Sequence, residues 1–199
     1  MEYIKINKEK VYLDNGNLYL ENFKINKISE IRRLKKYINL NALYLEKNKI
    51  SVIEGLNHLS NLKKLHLEAN LITEISGLNS LINLEELELS GNQISKIQGI
   101  THLHKLKSLL LNDNSIKKIE GLGNLIYLEH LDLSSNQIRE IEGVDNLKNL
   151  KYLNLSNNQI TEIKSLNKIN NLRILEIRDN PINNFYVFKD LRHIKQIIY

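Results

Sequence analysis

The stretch Leu128-Glu129-His130-Leu131-Asp132-Leu133-Ser134-Ser135-Asn136-Gln137-Ile138 decides the fold, because its pattern of apolar positions and one asparagine returns every 22 residues. The recurring asparagine occupies seven evenly spaced positions: Asn48, Asn70, Asn92, Asn114, Asn136, Asn158 and Asn180. A self-similarity of this period is typical of a solenoid, in which each repeat buries its apolar side only against the repeats above and below it. The pattern therefore predicts one stacked array.

The seven asparagines are interpreted as a structural ladder. After each predicted strand the chain must turn sharply, and the turn leaves backbone N–H and C=O groups without partners in a crowded place. An amide side chain carries two donors and an acceptor, so stacked asparagines can satisfy these groups within and between coils. A buried backbone group left unpaired costs roughly 1–3 kcal/mol. We expect a structural role for this row and not a catalytic one.

The composition places the chain among ordinary globular proteins with an aliphatic core. Hydrophobic residues make up 42% of the 199 residues, aromatic residues only 6%, and there is neither Trp nor Cys. Extracellular repeat arrays are often closed by disulfide-bonded caps, so the lack of Cys favours a reducing compartment. Residues 1–8 contain no apolar run of signal-peptide length, and no later stretch is long and apolar enough to span a bilayer. We expect a soluble, cytoplasmic monomer.

The net charge of +5 is concentrated at one end of the chain. Residues 1–50 carry eleven Lys and Arg against six Asp and Glu, whereas residues 51–199 carry seventeen of each. The excess is densest at Arg32, Arg33, Lys35 and Lys36. Such a run is usually the solvated surface of a cap, and less often a docking patch for an acidic partner or a phosphate backbone.

The repeat divides the chain into a cap and an array. Residues 1–22 depart from the pattern, and Asp14-Asn15-Gly16-Asn17 separates Val11–Leu13 from Leu18–Leu20, which is a strong hairpin signal. We therefore predict an N-terminal β-hairpin cap over 1–22 and an array over 23–199. The array comprises a degenerate first repeat at 23–39, regular repeats at 40–183 and a C-terminal cap at 184–199. Glu21, just before the first repeat, occupies the position where the register places a strand leucine.

Two further features recur behind each asparagine. Isoleucine pairs three residues apart, such as Ile72 and Ile75, suit a 3₁₀ turn. Glycines return at one place in the coil, as expected where the backbone needs positive φ or close packing; they are Gly55, Gly77, Gly99, Gly121 and Gly143. Ser165 breaks this row, so its coil is expected to run differently.

The pattern N-x-I-x-x-I-x-G-L-x-x-L-x-x-L-x-x-L-x-L, unbroken from Asn70 to Leu89, resembles the 22-residue leucine-rich repeat subclass typified by the regulatory subunit of type-1 protein phosphatase. The segment Asn180-Pro181-Ile182, followed by Phe185-Tyr186, is similar to the C-terminal cap of that subclass. The resemblance implies an α/β fold: a right-handed leucine-rich repeat solenoid with a parallel concave sheet and a 3₁₀ or irregular convex side. It also implies a binding protein without chemistry of its own, with a phosphatase-type catalytic subunit as one candidate partner.

The residues beside the strand leucines are expected to line the concave face, about 4.8 Å from their counterparts in the next coil. This face is acidic, and Leu110 is expected to be exposed in the middle of its row, with a tyrosine on either side. The predicted partner-binding residues are Tyr44, His66, Glu86, Glu88, Leu110, Asp132 and Tyr152. Such a surface suits a protein that presents Arg or Lys, with the aromatic and apolar residues as anchors.

Two other interpretations of these residues stay open. The charged residues of the face could be ordinary solvated cross-strand pairs, with Lys64 opposite Glu86 and His66 opposite Glu88. Alternatively, the basic run at Arg32–Lys36 could bind nucleic acid or a ribonucleoprotein, with a strongly salt-dependent affinity. An acidic sheet would repel such a polyanion, and the array lacks a row of aromatics for base stacking. A protein-interaction scaffold or regulatory adaptor is therefore the favoured function.

Catalysis and metal binding are not expected from the sequence. His66 and His130 lie on one predicted face, but they are three coils apart, about 14 Å by strand spacing, and cannot share one zinc ion. The sequence contains no Cys nucleophile, no phosphate-binding G-x-x-x-x-G-K loop and no G-x-S-x-G elbow. We expect no enzyme activity, no cofactor and no metal.

Overall fold

The structure is a computed structural model that describes residues 3–163 and 166–199. The strands within these ranges are β1 (Tyr3–Ile6), β2 (Glu9–Tyr12), β3 (Asn17–Tyr19), β4 (Ala42–Tyr44), β5 (Lys64–His66), β6 (Glu86–Glu88), β7 (Ser108–Leu110), β8 (His130–Asp132), β9 (Tyr152–Asn154), β10 (Ile174–Glu176) and β11 (Gln196–Ile198). Short 3₁₀ helices are found at Ile28–Glu30, Leu34–Lys36, Leu166–Lys168 and Phe185–Asp190.

One parallel sheet organises the described part of the chain. Its nine strands, β3 to β11, follow one another in sequence order. From β4 to β10 each strand pairs with the strand 22 residues later, as Leu43 pairs with Leu65 and Leu65 with Leu87. Each coil therefore adds one strand to the edge left by the coil before it. The predicted solenoid with a parallel sheet is confirmed.

The core is a column of aliphatic side chains behind this sheet. In every strand the central residue points inward, and Leu65, Leu87 and Leu109 are completely buried. The isoleucine pairs of the opposite side, such as Ile72 and Ile75, close the column with 0% and 1% exposure. Because side chains alternate across a strand, the residues on either side of each central leucine face away from the core. These outward residues form the concave face.

The N-terminal hairpin is present, but its strands are not the predicted ones. Antiparallel pairing joins β1 to β2, with Ile4 opposite Val11, and the turn between them uses Asn7 and Lys8 at φ of 50° and 71°. The Asp14-Asn15-Gly16-Asn17 segment does form a tight turn, closed by hydrogen bonds of 3.0 and 2.8 Å between Asp14 and Asn17. The chain after this turn does not return to β2, since Leu18 and Leu20 enter the core of the array.

The first strand of the array also lies earlier than the repeat period predicts. Strand β3 pairs with β4 through Leu18 and Leu43, an offset of 25 residues. The first coil is therefore three residues longer than the others, and the strand leucine that Glu21 appears to replace in the 22-residue register is supplied by Leu18. Glu21 lies outside β3, as the broken register predicts, but the 22-residue register did not predict the strand at Asn17–Tyr19.

The convex side is built from turns. In the first coil the Ile28–Ile31 spacing forms the predicted 3₁₀ turn, with Ile31 N donating to Ile28 O at 3.0 Å. In the middle coils such hydrogen bonds lie between leucines three apart, as from Leu81 N to Leu78 O at 2.9 Å. The recurring glycines have φ between 66° and 72°, as predicted. The expected irregularity at Ser165 lies outside the described residues.

The C-terminal end is closed by bulkier residues. The helix at Phe185–Asp190 begins after Asn184, whose side chain accepts a hydrogen bond from Tyr186 N at 3.0 Å. Strand β11 then completes the sheet, and the ring of Tyr199 stacks on Phe188 with centroids 4.8 Å apart. Among the described residues, no helix combines the length and apolar character needed to cross a bilayer.

Candidate functional site

The seven asparagines of the repeat form a continuous hydrogen-bonded ladder. In the coil of Asn114, the amide donates to the carbonyls of Leu89, Leu111 and Asn112 at 3.0 to 3.2 Å. Its carbonyl oxygen accepts from Ile94 N of the preceding coil at 2.9 Å. Asn48, Asn70, Asn92, Asn136, Asn158 and Asn180 repeat these four contacts. Because hydrogen bonds to the backbone occupy these asparagine side chains, the candidate site is sought on the concave face.

An aromatic run lies at the N-terminal end of the concave face. Tyr19 stacks on Tyr44 with ring centroids 4.6 Å apart and an interplanar angle of 7°. Tyr44 meets the ring of His66 edge to face at 4.7 Å. The three rings come from the adjacent strands β3, β4 and β5 at one row of the sheet. Tyr44 and His66 are half-buried, so their remaining surface faces the concavity.

His66 bonds to Glu86 and not to Glu88, its register partner. The imidazole Nε2 lies 2.7 Å from Glu86 Oε1, and Lys64 Nζ lies 2.8 Å from the other oxygen of the same carboxylate. The predicted pair of Lys64 with Glu86 is confirmed, whereas the predicted pair of His66 with Glu88 is wrong. Glu86 therefore pairs with both Lys64 and His66 of strand β5.

Two acidic residues complete the surroundings of His66. The Nδ1 atom lies 3.6 Å from Glu46 Oε1 and 4.0 Å from Glu68 Oε2. Glu46 and Glu68 are not among the partner-binding residues predicted from the sequence. Their position was readable, because each stands two residues after an outward residue of β4 or β5 and is a neighbour of the other at the 22-residue spacing.

Glu88 and Asp132 are turned toward their own strand ends. Glu88 is only 9% exposed, and its carboxylate accepts a hydrogen bond from Ser90 N at 2.9 Å. Asp132 Oδ1 accepts from the N–H of Ser134 at 2.8 Å and from its hydroxyl at 2.6 Å. Asn154 makes the same contact to Ser156 N at 3.0 Å. These side chains satisfy backbone donors at the turn, so their roles are at least partly structural.

The remaining predicted residues are spread along the sheet. Leu110 is half-buried and not exposed as predicted. Tyr152 lies five strands from Tyr44, about 24 Å by strand spacing, and its hydroxyl donates to Glu176 Oε1 at 3.0 Å. The ring of His130 stacks on Tyr152 at 5.8 Å. The structure thus brings Tyr44, His66 and Glu86 together and leaves the others apart.

Burial and charge shift the pKa values of this face. Burial lowers the pKa of His66, but the Glu46 and Glu86 carboxylates outweigh it and the net pKa is raised. Burial raises the pKa of Glu68 and of Glu88. Burial also acts to raise the pKa of Glu86, but Lys64 and His66 lower it below its ordinary value. The surroundings of His66, at the N-terminal end of the concave face, are therefore anionic and favour positive charge.

The basic run lies in the segment between β3 and β4, away from the outward rows of the sheet. Arg32, Arg33, Lys35 and Lys36 are all exposed. The guanidinium of Arg33 lies 5.8 Å from the ring centroid of Tyr3 in the hairpin, and Arg32 pairs with Lys5 of β1 as an isolated bridge. These contacts connect the basic run to the N-terminal cap.

Comparisons with known proteins agree with this architecture. A family model described as "Leucine Rich repeats (2 copies)" matches residues 38–80, 60–102, 82–124, 104–148 and 148–193. The crystal structure of internalin C2 from Listeria monocytogenes is similar at 26% identity and a TM-score of 0.82, over 92% of this chain and 79% of that one.

A second solved structure shows likeness of fold alone. Internalin F from Listeria monocytogenes aligns at 24% identity and a TM-score of 0.68, over 92% of this chain and 66% of that one. No curated protein sequence matches the chain. Proteins with such solenoids generally mediate protein–protein interactions, and they are typically scaffolds without enzyme activity. The family model covers well over half of the sequence, and the chain belongs to the leucine-rich repeat family.

Proposed function

We propose that this chain is a scaffold or regulatory adaptor that binds a partner protein through its concave sheet. One observation carries the proposal: the aromatic run Tyr19, Tyr44 and His66 is bordered on one open face by the carboxylates of Glu46 and Glu86. Rigid aromatic side chains beside half-buried carboxylates provide both anchoring area and charge complementarity. A partner segment that presents Arg or Lys fits this surface best.

Arginine suits the arrangement in two ways. Its guanidinium stacks on an aromatic face such as that of Tyr19, which is exposed at the end of the aromatic run, and its planar fork pairs with a carboxylate through two hydrogen bonds. Glu86 already holds Lys64, so an incoming guanidinium would exchange with an ion pair whose lysine is about half exposed. Exposed pairs of this kind contribute little to stability, and the exchange is expected to be easy.

Binding of a partner through the concave face can be tested by affinity capture with variants that carry matched charge reversals. The binding variant combines Tyr44→Ala with Glu86→Lys, whereas Glu120→Lys makes the same change of charge at an exposed position outside the concave rows. We expect one partner protein to be retained by the native chain and by the Glu120→Lys variant. The binding variant should not retain it. Equal retention by all three chains would refute the proposal. Circular dichroism confirms beforehand that each variant is folded.

The same capture separates the remaining candidates. A phosphatase-type catalytic subunit, implied by the subclass resemblance, is identified directly by immunoblotting of the bound material. Loss of binding in Arg32→Glu with Arg33→Glu, together with nuclease sensitivity, would instead make the basic run the functional surface. The cytoplasmic location and the monomeric state predicted from the sequence stay predictions, which fractionation and sedimentation analysis can test.

A further inference from the structure

A cluster of possible metal ligands lies at the border of the aromatic run. His66 Nδ1, a Glu46 oxygen and a Glu68 oxygen all lie within 4.8 Å of one another. We propose that Glu46, His66 and Glu68 bind a zinc ion on the concave face. This inference is independent of the proposed function, because metal binding is a property of the isolated chain.

The ligand types and distances suit zinc. One imidazole nitrogen and two carboxylate oxygens are ligands that zinc accepts, at about 2.0–2.2 Å from the metal. Tetrahedral ligands at that distance stand about 3.3 Å apart. The distances from Nδ1, 3.6 Å to Glu46 and 4.0 Å to Glu68, exceed this by less than an ångström. Small rotations of the two carboxylates would bring them to bonding distance, and the open concavity leaves a fourth position for water.

The imidazole is already held in the orientation that a metal needs. Metal-bound histidines usually donate their other ring N–H to a carboxylate, which fixes the tautomer and the plane of the ring. Glu86 plays this part, with its oxygen 2.7 Å from Nε2, and Lys64 holds Glu86 in turn at 2.8 Å. With Nε2 occupied, Nδ1 presents its lone pair to the space between Glu46 and Glu68.

An independent observation points to a missing cation. Glu46 Oε2 and Glu68 Oε2, the latter being the oxygen that faces Nδ1, are buried from solvent and have no hydrogen-bond partner among the described residues. Buried carboxylate oxygens are normally paired or bound to a metal. The Glu46 side chain is only 13% exposed, so water does not readily replace the absent partner. A bound cation would satisfy these oxygens.

The charge balance leads to the same conclusion. Of the three carboxylates around the imidazole, Glu86 is paired with Lys64, whereas Glu46 and Glu68 form no ion pair with a lysine or arginine among the described residues; the imidazole is neutral when it binds a metal. Two negative charges are then uncompensated in a half-buried place, and a divalent cation compensates them. The other concave histidine, His130, differs because it is exposed and stacks on Tyr152.

The test measures zinc binding to the intact chain near pH 7 by isothermal titration calorimetry, with zinc content after dialysis determined by mass spectrometry. The variants are His66→Gln and the near-isosteric Glu46→Gln, and the matched control is His130→Gln. We expect one zinc ion per native chain. The affinity should fall by at least about 10-fold in both site variants, and about 10–100-fold in Glu86→Gln, while His130→Gln should bind as the native chain does.

A spectroscopic measurement identifies the ligand atom. Addition of zinc chloride should shift the ¹⁵N resonance of His66 Nδ1 and leave that of His130 unchanged. Absence of zinc after dialysis together with no calorimetric binding would overturn the proposal. Affinity that stays unchanged in His66→Gln and Glu46→Gln would overturn it as well, because the zinc would then bind elsewhere. Circular dichroism shows whether each variant is folded.

Discussion

His66 reaches diagonally across the sheet to Glu86, with Nε2 2.7 Å from the carboxylate, although Glu88 stands directly opposite it in the strand register. The reason lies in Glu88 itself, whose carboxylate accepts from Ser90 N at 2.9 Å. The Glu88 carboxylate is thus bonded at its own strand end, and the imidazole bonds to Glu86. The result is a compact anionic cluster on strands β4 to β6.

The asparagine ladder predicts a stability loss for Asn114→Ala. The substitution removes one acceptor and an amide that serves three carbonyls. Because buried backbone groups are left unpaired, the free energy of unfolding should fall by about 1–3 kcal/mol, measured by urea denaturation. Asn124→Ala, at an exposed position, serves as the control and should leave the unfolding midpoint in place. An unchanged midpoint in Asn114→Ala would contradict the account of the ladder.

Two glycines with the same backbone conformation should respond differently to alanine. A Cβ at Gly77 would lie 2.1 Å from Ile53 O, whereas a Cβ at Gly55 would have no atom within 4 Å. Both residues have φ near +70°, which costs an alanine about 1–2 kcal/mol. We expect Gly55→Ala to show that cost alone and Gly77→Ala a larger one, measured by thermal unfolding. Equal destabilisation would mean that the backbone relaxes around the added methyl group.

Tyr152 should ionise later than an ordinary tyrosine. Burial and the hydrogen bond to Glu176 raise its pKa to about 12. Since the folded pKa lies above the unfolded value near 10, this contribution to stability is fully present below pH 10 and is lost as the pH rises toward 12. A spectrophotometric titration near 295 nm should show a late phase that Tyr152→Phe removes.

The control for this titration is Tyr186→Phe, at an exposed position, which should keep the late phase. Replacement of Glu176 by glutamine should move the phase to lower pH, because it removes the carboxylate that disfavours the phenolate. Persistence of the late phase in Tyr152→Phe would assign it to another residue. Circular dichroism reports whether the sheet stays folded at each pH.

The turn after β8 should tolerate an amide in place of a carboxylate. Asp132 accepts hydrogen bonds from both the N–H and the hydroxyl of Ser134, and in the next coil Asn154 serves Ser156 N in the same way. Asp132→Asn should therefore retain stability, whereas Asp132→Ala should lose about 1 kcal/mol. Chemical denaturation of both variants measures the difference. A loss of the same size in Asp132→Asn would show that charge, and not the hydrogen bond, matters.

Much of the fold was predictable because the interactions that specify it are local and repeated. Leucines two residues apart define a strand with one buried side, and a period of 22 brings each strand beside the next. The hairpin was predicted with the wrong strands, because Asn15-Gly16 and Asn7-Lys8 both form tight turns with positive φ. Leu18 is buried in the array, so the chain after Asn15-Gly16 joins the array, and the hairpin forms around Asn7-Lys8.

The candidate site was predicted only in outline. The outward position of Tyr44, His66 and Glu86 follows from alternation along a strand, so these residues could be chosen from the sequence. The selection of Glu88 as an open contact did not anticipate that its carboxylate bonds to Ser90 N and is buried, and Leu110 is half-buried. Glu46 and Glu68 were missed as a unit with His66, because they lie beyond the strand ends.

The sequence by itself determined the repeat, the direction of each leucine and the asparagine ladder, since these depend on spacing along the chain and on contacts between adjacent coils. Only the tertiary structure decided which carboxylate His66 binds and which two it leaves facing Nδ1. Four glutamates stand within one or two positions of that ring, and spacing alone does not rank them. Side-chain rotamers and the competing backbone donor of Ser90 make the choice.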